Sequence, residues 1–78
     1  MRLLRIGEGH YINIDAIWLI VFDTQPYIKI FVNGNRLYYL RFTNENYDEF
    51  CKKLVEKIVD EEVKIVDLND IENEGNKH

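Results

Sequence analysis

Asn33-Gly34 stands between two runs, Tyr27 to Val32 and Arg36 to Phe42, that are rich in β-branched and aromatic residues. An Asn-Gly pair so placed is the strongest short-range mark of an antiparallel hairpin, because both residues accept the positive φ of a tight turn. A two-residue loop sets Ile28, Ile30 and Val32 on one face with Leu37, Tyr39 and Arg41. A three-residue loop with a bulge at Gly34 sets them with Tyr38, Leu40 and Phe42 instead, because one residue of slip inverts the second strand. The second register joins the two more apolar faces.

Further strands precede this hairpin. Arg2 to Ile6 leads into Gly7-Glu8-Gly9, whose glycines permit a tight reversal, and His10 to Ile14 then alternates polar and apolar residues. Ile17 to Phe22 is apolar on both parities, which predicts a central strand covered on both sides or one face of an interface. Asp23-Thr24-Gln25-Pro26 turns the chain toward the hairpin.

From Thr43 the period changes. Tyr47, Phe50, Cys51, Leu54, Val55 and Ile58 fall on a single helical stripe. Asn46 and Glu49 resemble a capping box, and Lys52, Lys53 and Lys57 suit the negative end of the dipole. Val63 to Leu68 alternates again, as an edge strand does. Asn69 to His78 offers one large apolar residue, Ile71, among acids and asparagines, and is expected to be a disordered acidic tail. The fold expected is α+β: one domain over residues 1–68, with an antiparallel sheet of five strands, or six with Val63 to Leu68. One amphipathic C-terminal helix packs on one face of that sheet.

Composition narrows the function classes. The 78 residues include one cysteine, so no internal disulfide forms, as in reduced intracellular proteins. A chain of this size buries roughly 60% of its unfolded surface, which leaves little for a deep catalytic cleft. The longest apolar run, Ala16 to Phe22, is far short of the roughly 20 residues a membrane-spanning helix needs. Glu8, His10, Asn13 and Asp15 interrupt the segment where a signal peptide would carry its apolar core. A cytoplasmic location without membrane contact is expected.

Charge is uneven: residues 1–44 carry five bases against three acids, and residues 58–78 carry two bases against seven acids. With no serine, two histidines and one cysteine, most catalytic templates are empty. Cys51 lies inside the helical stripe, where cysteine behaves as a small buried hydrophobe. His10 lies near Glu8 without a nucleophile or third partner and reads as an edge-strand surface residue. No grouping has zinc spacing, and Asp60-Glu61-Glu62 lacks the plan of a calcium loop. Gly7-Glu8-Gly9-His10 lacks the lysine and hydroxyl residue of a phosphate loop. No catalytic residue, metal, cofactor or small-molecule substrate is expected.

One constellation remains, and it is aromatic. Trp18, Tyr27, Phe31, Tyr38 and Tyr39 are the candidate partner-interface residues, since a single helix covers only one sheet face and the other must meet a protein partner or a second copy. The alternative is a nucleic-acid-binding regulatory module in which Lys29, Arg36 and Arg41 hold phosphates while the tyrosines stack on bases. The net charge of -4 and the lack of an RNP-type motif weigh against it.

Ile12-Asn13-Ile14-Asp15-Ala16-Ile17, then Pro26, Ile28 to Gly34, Tyr38 or Tyr39 and an acidic helix start follow one another in an order that resembles the small bacterial flagellar FlbD family. The resemblance spans roughly residues 7–58. Strands followed by one helix are also similar to bacterial pleckstrin-homology-like and LytTR-type modules. These resemblances imply a small non-catalytic module. The expected function is protein interaction, by self-association as a homo-oligomer or by docking a partner through the second sheet face.

Overall fold

A computed structural model describes residues 1–24, 26–42 and 46–75; Gln25 of the expected proline turn and Thr43, where the helical period begins, lie outside them. β1 (Leu3–Gly7) and β2 (His10–Asn13) form the first hairpin, closed where Gly7 pairs with His10 and Gly9 takes a φ of +70°. β6 (Ile65–Asp67) joins β1 in parallel, giving a sheet of order β2-β1-β6. β3 (Ile17–Phe22), β4 (Tyr27–Val32) and β5 (Arg36–Arg41) form a second, fully antiparallel sheet. α1 spans Tyr47–Val59 and α2 spans Leu68–Gly75.

The protein is thus α+β, but the expected single sheet of five or six strands is two sheets of three. The break lies at Ile14–Ala16, a 3-10 turn after β2. The Asn13 side chain accepts from the Asp15 N–H at 3.0 Å, so the backbone turns where period-2 reading carries the strand on to Ile14. Both ends of the corner are held: Ile14 N–H donates to the Arg2 carbonyl and Asn33 N–H to that of Ala16, each at 3.0 Å. β3 is consequently an edge of the second sheet rather than a central strand, and Trp18 and Leu19 are exposed.

The hairpin register is the three-residue one. Val32 pairs with Arg36 across Asn33-Gly34-Asn35, with positive φ at Gly34 (+86°) and Asn35 (+60°). Ile28 then faces Leu40 and Ile30 faces Tyr38, joining the two apolar sides. Burial decides here, since the other slip would turn Leu40 out to solvent and Arg41 into the core.

One core joins both sheets to both helices. Leu4, Ile12 and Val66 from the first sheet and Ile28, Ile30 and Val32 from the second meet Phe50, Cys51 and Leu54 of α1. The ring of Phe42, just past β5, lies 4.1 Å from that of Phe50. Val55, expected in the buried stripe, is 43% exposed, so the stripe is narrower than its periodicity implies. Asn46 makes no side-chain capping bond, and the capping box with Glu49 does not form; the Asn46 carbonyl accepts the Phe50 N–H at 2.9 Å. At its other end α1 is tied to the N-terminal strand: the Arg2 guanidinium donates to the carbonyls of Lys57, Asp60 and Val63 at 3.1, 2.8 and 2.8 Å.

The expected disordered tail is instead helical from Leu68 to Gly75; residues 76–78 lie outside the described residues. Asp67 supplies the N-terminal cap, its carboxylate accepting the Asn69 N–H at 2.9 Å while also pairing with Arg5 at 3.0 Å. Leu68 and Ile71, three apart, are 4% and 1% exposed and lie against α1 and β1. Two apolar side chains suffice because neighbouring elements supply the other walls of their pocket. No helix among the described residues is long and apolar enough to cross a membrane.

Candidate interaction surface

The second sheet has an inner face in the core and an outer face without cover from any described element. Its register orders that outer face into rows. Leu19, Phe31 and Leu37 lie opposite one another across β3, β4 and β5, followed by Val21, Lys29 and Tyr39 and then by Tyr27 and Arg41. The first row is wholly apolar, and the bulge between Ile17 and Leu19 adds Trp18, whose ring centre lies 5.4 Å from that of Phe31. Trp18 is 62% exposed, Tyr39 54% and Leu37 51%, so the face is apolar and wet at once.

The aromatic side chains are held by one another. Tyr27 and Tyr39 stack at 5.2 Å between ring centres, diagonal neighbours on adjacent strands. Such pairs contribute about 0.5–1.5 kcal/mol beyond their buried area and fix the rings before any partner arrives. Lys29 reaches over the Tyr39 ring at 5.8 Å and pairs with the Asp23 carboxylate at 3.0 Å. That carboxylate also accepts the Thr24 N–H at 2.7 Å. The Thr24 bond first, and then Lys29, hold the Asp23 carboxyl below the usual aspartate range; Asp23 in turn raises the Lys29 ammonium. The central cation of the face is therefore balanced within the chain.

Four of the five expected interface residues, Trp18, Tyr27, Phe31 and Tyr39, come together on this outer face. Tyr38 does not. It lies opposite Ile30 on the inner side, packs against the core and lines a cleft of about 380 Å³ with Ile6, Gly9, His10 and Tyr11. Leu19 and Leu37 were missing from the sequence-predicted set; their positions opposite Phe31 follow once the loop length is known. Among the three cations of the nucleic-acid alternative, Arg41 lies on the outer face, Lys29 is engaged with Asp23, and Arg36 lies opposite Val32 on the other parity. They do not form one basic stripe.

Cys51 is buried between α1 and the core, and burial raises its thiol pKa, which disfavours the reactive thiolate. Among the described residues no group of three His, Cys, Asp or Glu side chains is placed to hold a metal ion. Comparison with known proteins finds no family model, no curated protein and no solved structure that matches this chain.

Proposed function

We propose that this protein is a small non-catalytic interaction module whose outer β3-β4-β5 face packs against another protein surface, a second copy or a partner. The observation that carries the reading is the apolar row Leu19-Phe31-Leu37 with Trp18 stacked at its side. Interface cores are depleted of charge and enriched in aromatic anchors; here Asp23 neutralises Lys29 at the middle of the face, and Arg41, the last residue of β5, stands at its edge. The rings are already fixed, so little side-chain freedom remains to be lost on docking.

Phe31→Glu tests it. Phe31 is half-buried on the outer face, away from the core, so the variant is expected to keep its circular dichroism spectrum and cooperative unfolding. Its binding to whatever the wild type engages, a copy of itself or a partner captured from its native cell, is expected to fall at least tenfold, at low and at physiological salt alike. Unchanged binding by a folded Phe31→Glu protein would sink the reading. Binding that instead collapses with salt would point to a charged ligand such as nucleic acid.

A further inference from the structure

The edges of the two sheets are not equally protected. β2 has four residues and follows a bulge in its pairing with β1; β6 has three; β3 carries the bulge between Ile17 and Leu19. These are devices by which sheets avoid joining other chains. β5 has none of them. Its six residues, Arg36-Leu37-Tyr38-Tyr39-Leu40-Arg41, keep unbroken register with β4, contain no proline and carry charge at their two ends alone.

The direction of its backbone groups follows from two bonds that flank β4. Phe42 N–H donates to the Pro26 carbonyl at 2.8 Å, and these residues continue the β4–β5 register. In an antiparallel ladder the bonded pairs recur at every second residue, so Leu40, Tyr38 and Arg36 bond to β4. Asp23 N–H donates to the Tyr27 carbonyl at 3.1 Å, so Tyr27, Lys29 and Phe31 bond to β3, the complementary set that the central strand requires. Leu37, Tyr39 and Arg41 therefore aim their N–H and C=O groups away from the sheet, and no described residue meets them.

We infer that β5 pairs edge to edge with β5 of a second copy, antiparallel about a two-fold axis at Tyr39, making one continuous sheet from both chains. A two-fold axis normal to the sheet keeps outer faces together, and only residues whose groups point outward can exchange bonds across it. Centred on Tyr39, the pairing sets Tyr39 against Tyr39 of the copy and Leu37 against Arg41 in both directions, so all three outward residues are bonded. Shifting the centre to Tyr38 pairs Leu37 with Tyr39 and leaves Arg41 opposite Asn35, in the turn. In the Tyr39 register each arginine faces an apolar residue and no like charges stand opposite one another. Each Tyr39 also brings its stacked Tyr27 to the junction, so the two outer faces merge into a single aromatic surface.

The inference rests on the backbone of β5 and not on the Phe31 row, so the two readings fail separately. Hydrogen exchange of the full chain, read by NMR from micromolar to millimolar concentration, is the direct measurement. The amides of Leu37, Tyr39 and Arg41 are expected to become protected at least tenfold as concentration rises, in step with a mass approaching twice 9.4 kDa. Tyr39→Pro removes an N–H that β4 does not use; it is expected to abolish the dimer while Tyr38 and Leu40 stay protected. Should that variant unfold, Tyr39→Cys supplies a second test. Bonded antiparallel pairs stand about 5.5 Å apart at Cα, within disulfide reach, so mild oxidation is expected to link two Tyr39→Cys chains but not two Leu37→Cys chains. A monomer at millimolar concentration with freely exchanging Leu37, Tyr39 and Arg41 amides overturns the inference. So does a dimer that survives Tyr39→Pro and is lost in Phe31→Glu, which would place the second copy on the outer face.

Discussion

The hydroxyl of Tyr47 donates to the carbonyl of Tyr27 at 2.6 Å, tying the first turn of α1 to the first residue of β4. It also lies 3.2 Å from the Asp23 carbonyl. A buried helix residue thus grips the backbone at the point where the side chain of Tyr27 turns outward to stack on Tyr39. Core and surface are joined through one phenol.

Tyr47→Phe keeps the ring and removes the bond. The Tyr27 carbonyl, acceptor of the shorter bond, retains the Asp23 N–H, and the expected loss is about 1 kcal/mol. For a domain of this size that lowers Tm by roughly 4–8 °C. Burial first, and the Cys51 thiol next, push the Tyr47 pKa up to about 12. Because the folded state holds its proton above the unfolded value near 10, stability from this group is intact below about pH 10 and is lost as pH rises toward 12. Alkaline denaturation followed in both proteins should show a shallower decline in Tyr47→Phe; equal declines would mean that Tyr47 is not buried as described.

Arg2 offers a test of how the chain start is anchored. Its fork reaches carbonyls of Lys57, Asp60 and Val63, closing the C-terminal end of α1 and the loop into β6. Arg2→Ala is expected to cost about 2 kcal/mol, allowing about 1 kcal/mol for each of the two part-buried bonds, to Lys57 and Val63, and little for the exposed one to Asp60. Arg2→Lys should recover less than half, since a single ammonium cannot span three acceptors as a planar guanidinium does. Urea unfolding midpoints of the three proteins decide the matter. A full recovery by lysine would show that charge near the helix end, and not the fork, is what counts.

Ile71 separates a packed α2 from a frayed tail. Its side chain is 1% exposed, and truncation of such a residue opens a cavity that costs about 2–5 kcal/mol. Ile71→Ala should therefore lower the unfolding free energy as much as a core substitution does, while Asp70→Ala on the exposed side should change it by less than about 0.5 kcal/mol. Indistinguishable midpoints for Ile71→Ala and wild type would return the segment to a disordered tail.

How far these features could be read in advance depended on whether the signal was local. The Asn33-Gly34 hairpin and the Tyr47-Phe50-Cys51-Leu54 stripe were legible because turn chemistry and period act within a few residues. The face of Tyr38 was not, since it turned on whether the loop holds two residues or three, and that choice is made by burial across the whole sheet. The split into two sheets lies at the Ile14–Ala16 corner, where the Asn13 side chain takes the Asp15 N–H and bonds to distant Arg2 and Asn33 hold the two ends, and periodicity does not reveal such a corner. α2 was invisible for a different reason: Leu68 and Ile71 form no stripe by themselves and are buried only because α1 and β1 already stand beside them. Tyr27, Lys29 and Phe31 share a face by alternation alone, whereas Leu19 and Leu37 beside them needed the register across strands, and the balance between Asp23 and Lys29 needed the turn that brings them to 3.0 Å.

That balance has a pH signature. The Thr24 N–H is the first cause of the low Asp23 pKa and Lys29 acts beside it through both its hydrogen bond and its charge, so Lys29→Met should raise the Asp23 titration midpoint part of the way to an ordinary aspartate. With the folded value depressed, the stability Asp23 contributes is present above the unfolded pKa near 4 and is lost as pH falls through the folded one. Carboxyl carbon NMR titration of both proteins reads the midpoint directly. A complete return to the ordinary value in Lys29→Met would assign the effect to the ion pair instead of the turn. In the wild type, acid below that midpoint protonates Asp23 and leaves Lys29 over the Tyr39 ring as an uncompensated cation. Any apolar partner on the outer face should therefore bind more weakly there, and adding salt should restore part of the loss if the partner is itself cationic.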